Sequence, residues 1–302
     1  MVVIPPEEAK AIPKERIFSR PMRYVRTNKN KEDDGPLEPK SRIVTPGDVD
    51  PDGDMVVEDG GFRTDAPTCP QVAFHLLCSM AVRKKLKLGT FDCKTAFLTG
   101  KEHDREIYCR PPKEGLPGVP PGSLLKLVKG AYGLREAPRL WYLRAKEVLL
   151  EAGFEEMQTA KSCFILRDAK TKSCVGMLVL HVDDAWFAGN GGRWETAMQY
   201  IRSKFTIGKE EYGTFTFLGR RVVQHKDFSI ELDQHEYVRA LEKVSVARER
   251  RNQPKSPLTD KELHDYRSLV GQLAWPARET MPQLAYSVSD LQQKVAQSTM
   301  AI

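Results

Sequence analysis

Two adjacent carboxylates, Asp183 and Asp184, stand directly after the most apolar run of the chain, residues 175–182. A third acid, Asp92, follows another strand-like run at residues 86–91. At a hairpin turn neighbouring acids can lie close to one sheet edge, where their charges repel unless cations hold them. Three hard oxygen donors at such an edge suit two Mg²⁺ ions roughly 3.5–4 Å apart, which can activate an attacking hydroxyl and stabilise the oxygens that leave in a phosphoryl displacement. These residue types indicate metal-assisted phosphoryl transfer.

A simpler interpretation of the same acids is structural. Asp183 and Asp184 can form a solvated turn, and Asp92 can cap a helix, since aspartate is common at both places. Residue type alone leaves the structural and the catalytic interpretations open.

The elements that would position these acids alternate between strands and helices. Strands are predicted at residues 163–166, 175–182 and 185–188. A helix is predicted from Pro138 to Gly153, because its apolar residues recur at i, i+4, i+7, i+8 and i+11. Another helix is predicted after the glycine-rich loop at 189–192. This order predicts an α+β fold in which helices pack on an antiparallel sheet.

The flanking regions carry further elements. Residues 22–44 predict a hairpin that turns at Asp33-Asp34-Gly35, and the loop at 45–61 is expected to be mobile and solvated. Thr68 is expected to cap a helix whose buried stripe is Ala73, Leu76, Leu77 and Met80. Towards the C-terminus we predict strands at 215–223 and 228–232, helices at 235–243 and 265–295, and a domain boundary near 210–225.

Composition limits the class of protein. The 302 residues are 40% hydrophobic and 29% charged, which is typical of a globular chain and excludes collagen-like, coiled-coil and disordered classes. A net charge of +6 favours a polyanionic partner without requiring one. The six cysteines form no CxxC pair, so buried thiols are expected rather than a disulfide framework or a zinc site. No apolar run is long enough to span a bilayer, so neither membrane insertion nor secretion is expected.

Five motifs stand out along the chain: DCKTAFLTG at 92–100, AYGLREAPR at 131–139, HVDD at 181–184, FLG at 217–219 and YRSLVG at 266–271. They stand in the order seen in the reverse transcriptase of copia-type LTR retrotransposons, which the chain resembles over about residues 20–295. The resemblance implies a right-hand polymerase with fingers, a palm and a partial thumb. A lead (1–20) would precede the fingers and first palm strand (21–90), the palm with a fingers insertion (91–215), and the primer-grip region with a thumb or connection fragment (216–302).

The resemblance implies that Asp92, Asp183 and Asp184 are the catalytic, metal-binding triad. Two Mg²⁺ ions, with Mn²⁺ as the alternative, would be the cofactors. On an RNA or DNA template, the primer 3′-hydroxyl would attack the α-phosphate of an incoming dNTP and release pyrophosphate.

The resemblance also implies two sets of binding residues. The nucleotide-binding set is Lys40, Arg42, Lys94, Thr95, Ala96, Phe97, Tyr132 and Gly133, in which the amides of 94–97 would form an anion nest and Phe97 would exclude a ribose 2′-hydroxyl. The primer and template set is His181, Phe217, Leu218, Gly219 and Arg135. The basic segment Arg248, Arg250, Arg251 and Lys255 would contact the nucleic-acid backbone. Structural alternatives stay open: a core aromatic for Phe97, a solvated hairpin for Lys40 and Arg42, and a surface charge for Arg135 or Arg139.

Two departures from the family pattern bear on activity. His181 stands where the family has Tyr, which would alter a primer contact or the pH dependence. Residues 280–284 read TMPQL where the family typically has Thr-Arg-Pro-Asp-Ile. Two alternative functions follow: a retroelement product that binds nucleic acid without catalysis, and a metal-dependent phosphohydrolase.

The length of the chain adds an expectation about its context. A full polyprotein would also carry ribonuclease H and integrase domains, so an excised or degenerate fragment that depends on those missing domains is expected. The resemblance implies a cytoplasmic virus-like particle or the nucleus as its place, and the sequence shows no localisation signal of its own.

Overall fold

The computed structural model describes residues 1–28, 36–53, 63–253 and 255–295. The chain divides into two compact units, Met1–Tyr212 and Gly213–Ile302, and this division falls inside the interval 210–225. No helix within the described residues is long and apolar enough to cross a membrane.

Groups of strands alternate with helices along the chain. The described strands are β1 (Val2–Ile4), β2 (Arg23–Asn28), β3 (Pro39–Val44), β4 (Lys87–Cys93), β5 (Glu102–Cys109), β6 (Leu124–Lys129), β7 (Phe154–Glu156), β8 (Cys163–Arg167), β9 (Cys174–His181), β10 (Asp184–Gly189), β11 (Ile207–Tyr212), β12 (Thr214–Phe217), β13 (Arg220–Gln224) and β14 (Ile230–Asp233). The α-helices are α1 (Pro6–Ala9), α2 (Gln71–Lys84), α3 (Ala137–Glu151), α4 (Gly192–Lys204), α5 (His235–Arg239), α6 (Arg248–Arg251), α7 (Asp260–Glu279) and α8 (Ala285–Lys294).

A six-stranded antiparallel sheet in the order β11-β4-β10-β9-β8-β7 forms the centre of the first unit. Because neighbouring residues of β10 point to opposite faces, Trp186 and Phe187 enter different layers. Phe74 of α2 meets Trp186 at 4.3 Å between ring centroids, and Trp194 of α4 meets Phe187 at 5.6 Å. Helices therefore cover both faces of the sheet, and the predicted α+β class is confirmed.

Helix α2 differs from its prediction at two points. It begins at Gln71 with Pro70 as N-cap and without a side-chain cap, so the predicted capping by Thr68 is wrong. Its buried face comprises Ala73, Phe74, Leu77, Cys78 and Ala81, whereas Leu76 is 43% exposed. The reason is that the face in contact with the sheet follows i, i+1, i+4, i+5 and i+8, which places Leu76 off the stripe.

A smaller sheet, β1-β6-β5, and the hairpin β2-β3 complete the strands of the first unit. The pairing of Arg23–Asn28 with Pro39–Val44 confirms the two predicted hairpin arms, while the predicted turn at 33–35 lies outside the described residues. The expectation of a solvated loop at 45–61 is wrong for 45–53, and residues 54–61 lie outside the described residues.

Buried ion pairs explain why residues 45–53 pack against the protein instead of forming a solvated loop. Arg105 of β5 binds Asp50, Asp52 at 2.8 Å and Glu136 at 2.8 Å, and its side chain is only 10% exposed. Charges removed from water must be paired, so this cation fixes the segment against β5 and the start of α3.

The second unit contains the sheet β12-β13-β14 and helices α5 to α8. The strand predicted at 215–223 is a hairpin, because Leu218 and Gly219 take positive φ angles of 47° and 72° and turn the chain. The helix predicted at 265–295 is two helices separated by the 3₁₀ turn Pro282–Leu284, and Pro282 removes a backbone donor at this break. The helix predicted at 235–243 ends at Arg239.

Candidate active site

Three acids meet at one edge of the central sheet. Asp92 lies near the end of β4, and β9 and β10 turn at Val182 and Asp183. Asp184 is the register partner of both Asp92 on β4 and His181 on β9. The Cys93 amide donates to the Asp183 carbonyl at 2.9 Å, which attaches the turn to β4. The backbone thus brings together the three acids that the sequence singled out.

Electrostatics at this edge reflect uncompensated negative charge. Asp183 is exposed, and Asp92 and Asp184 are half-buried. Burial, together with the charges of Asp183 and Asp92, raises the pKa of Asp184 to about 6. Burial and the same acids raise the pKa of the Cys93 thiol to about 12, so this thiol stays neutral near pH 7. The repulsion expected of clustered carboxylates is present.

The turn between β9 and β10 is held under backbone strain. Val182 has a φ of 56°, in the left-handed region that β-branched residues rarely adopt. Its carbonyl accepts a hydrogen bond from the Trp141 indole N–H at 2.7 Å. Trp141 belongs to α3 and is 2% exposed within the core under the sheet. The buried indole therefore fixes the turn that carries Asp183.

The carboxylate of Asp92 meets the backbone of β11. Its Oδ1 accepts a hydrogen bond from the Lys209 amide, and the Gly208 backbone lies against the same carboxylate. The pairing of β11 with β4 shifts register between Ile207 and Glu210, which is where this contact occurs.

The donor set at this edge can be compared with what a cation requires. Across the described residues, no three His, Cys, Asp or Glu side chains form a ready-made metal-binding group. The donor chemistry fits Mg²⁺, because carboxylate oxygens are its preferred protein ligands and the acids repel one another when alone. Asp92, Asp183 and Asp184 are the residues that could hold such an ion.

Three of the predicted nucleotide-binding residues come together in the first unit. The Arg42 guanidinium lies over the Tyr132 ring, 5.4 Å from its centroid. The Tyr132 ring in turn meets Phe97 edge-on at 5.7 Å between centroids. Lys40 is two residues from Arg42 on β3 and is half-buried like it. We call Arg42, Tyr132 and Phe97 the aromatic row.

Gly133 has a φ of 86°, in the left-handed region that favours glycine. Its backbone lies close to Val44 and Thr45 at the end of β3. The Thr45 amide donates to the Tyr132 carbonyl at 2.7 Å, and a Cβ at Gly133 would lie 2.6 Å from Val44 Cγ1. Gly133 thus lets the loop at 131–135 seat against β3.

The predicted anion nest at 94–97 is smaller than expected. The Lys94 amide donates to the Thr206 carbonyl at 2.9 Å, so it is already used within the protein. Thr95 has a φ of 54° and precedes the 3₁₀ helix Ala96–Thr99, in which Ala96 is buried and Phe97 half-buried. Only the amides of 95–97 can belong to such a nest.

The predicted primer and template residues lie in different units. His181 is half-buried at the end of β9, opposite Asp184, and Arg135 is exposed and donates to the Gly53 carbonyl at 3.2 Å. In the second unit Phe217 is 3% exposed, and Leu218 and Gly219 form the turn of its hairpin.

Two arginines of the basic segment at 248–255 have structural partners. Arg250 binds Glu262 through two hydrogen bonds of 3.0 and 2.8 Å and also reaches the Pro257 carbonyl. Arg251 donates to the Val246 carbonyl at 3.0 Å. The donors of Arg250 hold the start of α7, and the contact of the segment with nucleic acid stays a prediction.

Sequence reasoning missed the site roles of Trp141, Gly208 and Lys209. Trp141 appears only as a core position of the helical pattern, and its N–H has no signal in the sequence. Gly208 does carry a signal, because a glycine inside a strand often marks the close approach of another group.

Comparison with known proteins identifies the family. The family model described as "Reverse transcriptase (RNA-dependent DNA polymerase)" matches residues 1–253. The chain is 29% identical over 286 residues to the retrovirus-related Pol polyprotein from transposon RE2 of Arabidopsis thaliana, covering 90% of this chain and 19% of the relative. It is 27% identical over 283 residues to that from transposon RE1 of the same plant, covering 90% of this chain and 18% of the relative.

The chain thus spans about a fifth of the length of these curated relatives. A solved foamy viral protease-reverse transcriptase in complex with an RNA/DNA hybrid aligns with a TM-score of 0.43 and 10% identity, over 94% of this chain and 31% of the other. The resemblance to copia-type retrotransposons is confirmed by the family match, and the chain belongs to the reverse transcriptase (RNA-dependent DNA polymerase) family.

Proposed function

We propose that the chain is a catalytic RNA- and DNA-templated DNA polymerase that transfers nucleotides from dNTPs to a primer 3′-hydroxyl. The observation that carries this proposal is the meeting of Asp92, Asp183 and Asp184 at one sheet edge, where burial and the charges of the other two acids raise the pKa of Asp184. Three clustered acids that repel one another would bind a cation favourably. In a member of this family, they favour catalysis over a solvated turn.

The roles of the acids follow from their places. Two bound Mg²⁺ ions, or Mn²⁺ as the alternative, would activate the attacking hydroxyl and neutralise the leaving oxygens. Asp183, on the exposed turn, and Asp92, on the neighbouring strand, would hold the ions. Asp184 would complete the set, and the positive charge would favour its ionised form. Positioning by Trp141 and β11 holds these carboxylates ready.

The aromatic row would bind the incoming nucleotide. The Arg42 guanidinium, held over the Tyr132 ring, would neutralise triphosphate oxygens together with Lys40. Phe97 would exclude a ribose 2′-hydroxyl, and the amides of 95–97 would donate to phosphate oxygens.

Primer and template would be bound by a second set of residues. His181 lies beside the acids, Phe217, Leu218 and Gly219 form a hairpin turn of the second unit, and Arg135 is exposed. The assignment of fingers to 21–90, palm to 91–215 and primer-grip and thumb fragment to 216–302 belongs to the same proposal, as do ribonuclease H and integrase partners.

Primer extension on an RNA template with Mg²⁺ tests the proposal directly. Asp183→Asn should lower extension by orders of magnitude, because one of the carboxylates that would hold the metal is lost. Asp104→Asn, an identical change at an exposed acid of β5, is the matched control and should leave extension unchanged. Extension by Asp183→Asn at the parent rate would refute the catalytic assignment.

A second candidate is nucleic-acid binding without catalysis, which the His181 departure beside Asp184 favours. Filter binding over a salt series would then give a steep log-log slope with no nucleotide incorporated. Phosphate release without a template would instead indicate a phosphohydrolase.

A further inference from the structure

Asp92 contacts an unusual part of β11. This strand stands at one end of the described six-stranded sheet, next to β4. Its register shifts between Ile207 and Glu210, so that the Lys209 amide points at the Asp92 side chain instead of joining the regular ladder. A β-bulge of this kind re-aims a backbone group, and bulges occur beside active sites.

The glycine at 208 is required by space and not by backbone conformation. Gly208 is not among the described glycines with positive φ, so another residue could adopt its backbone angles. A Cβ there, however, would collide first with Oδ2 of Asp92, and it would lie 2.6 Å from Oδ1 and 2.7 Å from Cγ of the same side chain. Any side chain at 208 must therefore displace the Asp92 carboxylate or the strand.

The strand has little freedom to move away. Just before the bulge, the Thr206 carbonyl accepts from the Lys94 amide at 2.9 Å. Just after it, Glu210 binds Arg202 of α4 through hydrogen bonds of 2.6 and 3.1 Å. The Lys209 side chain is 75% exposed and pairs with Glu211, so only its backbone serves Asp92.

We propose that the Gly208–Lys209 backbone is a positioning element that sets the orientation of the Asp92 carboxylate for divalent cation binding. The Lys209 amide engages Oδ1, and the bare Gly208 backbone provides the space that Oδ2 and the rest of the carboxylate occupy. This inference rests on the proposed function, because it assumes that Asp92 is a metal ligand.

Direct Mn²⁺ binding, measured by the free-ion EPR signal, tests the proposal without relying on activity. Outer groups that orient a metal ligand typically change affinity by about 10–100-fold, so Gly208→Ala should weaken Mn²⁺ binding by about tenfold or more. Gly192→Ala is the matched control, because in the described part of the chain a Cβ at 192 meets open space. It should bind Mn²⁺ like the parent.

A second pair of variants separates the amide from the side chain. Lys209→Pro removes the N–H at a strand where proline is tolerated, and it should weaken Mn²⁺ binding in the same way. Lys209→Ala keeps the N–H and should bind Mn²⁺ like the parent. In the parent protein itself, the Lys209 amide should resist hydrogen exchange, and Asp92→Ala, which removes the acceptor, should speed its exchange.

The possible outcomes distinguish this inference from the polymerase proposal. Parent-like Mn²⁺ affinity in folded Gly208→Ala, or rapid exchange of the Lys209 amide in the parent, overturns the positioning role even if primers are extended. A parent protein that binds Mn²⁺ through this element but extends no primer refutes the polymerase proposal alone. A parent protein that binds no Mn²⁺ overturns both.

Discussion

The hydrogen bond between Trp141 and the Val182 carbonyl offers a test of how the catalytic turn is held. Trp141→Phe keeps an aromatic ring against Phe205, which lies 4.9 Å away between centroids, but removes the indole N–H. The Val182 carbonyl then loses the 2.7 Å bond that balances a strained φ. The perturbation therefore acts on the turn and leaves Asp183 itself unchanged.

The magnitude follows from two contributions. An unsatisfied carbonyl in a poorly solvated place costs about 1–3 kcal/mol. The missing ring atoms leave a small cavity that adds about 1 kcal/mol. We expect the free energy of unfolding of the first unit to fall by about 2–4 kcal/mol. Primer extension should slow by up to about a hundredfold, since a misplacement of about 1 Å at a reacting group can have that effect.

Urea unfolding and single-turnover primer extension measure the two effects. Trp194→Phe is the control, because Trp194 is 1% exposed in the same core and the described residues show no hydrogen bond from its indole. The control should lose stability through its cavity but extend primers at the parent rate. If Trp141→Phe is as fast as Trp194→Phe, the indole does not position the turn and the reasoning is refuted.

Three further outcomes are expected. In EDTA, the free energy of unfolding should fall as the pH rises from about 4 to 6, because Asp184 has a pKa of about 6 in the folded state and only about 3.8 in the unfolded state. Urea titrations of Asp184→Asn should show no such slope. Above pH 6 the free energy of unfolding of this variant should exceed that of the parent by about 1–2 kcal/mol, after allowance for solvent screening. Arg42→Ala should raise the KM for dNTP about tenfold or more in steady-state extension, since a charge-assisted contact to phosphate is worth about 1.5–3 kcal/mol. The binding of primer and template should change little. An unchanged KM would show that Arg42 is not part of the nucleotide site. Arg105→Ala should lower the free energy of unfolding by about 3–5 kcal/mol, because it leaves Asp50 and its neighbouring acids unpaired; a loss below about 1 kcal/mol in urea unfolding would contradict a buried ion cluster.

The sequence predicted the centre of the fold well because local patterns determine it. Apolar runs at 86–91 and 175–182 became β4 and β9, the two strands that flank β10. The acids that follow them met because antiparallel pairing sets Asp184 of β10 opposite Asp92. The helix predicted from Pro138 runs over Ala137–Glu151, since its apolar spacing and the glycine at 153 mark its face and its end.

What the sequence could not predict depends on distant partners. The segment at 45–53 has the glycine and aspartate content of a solvated loop, yet Arg105, more than fifty residues away, buries Asp50. Arg250 belongs to a charged run, and only the fold shows that Glu262 takes its guanidinium. The Lys209 amide is a backbone group without any residue-type signal, so its contact with Asp92 is visible only in three dimensions.

In the Arg105 cluster, replacing an acid and replacing the arginine have unequal effects. One cation serves three acids there, and burial raises the pKa of Glu136, so negative charge is in excess. A neutral replacement of one acid relieves part of that excess, whereas loss of the arginine leaves all three acids without this cation. In a lineage that drifts, neutral residues should therefore accumulate at the acidic positions first, and loss of the arginine should follow only after most of the acids have gone.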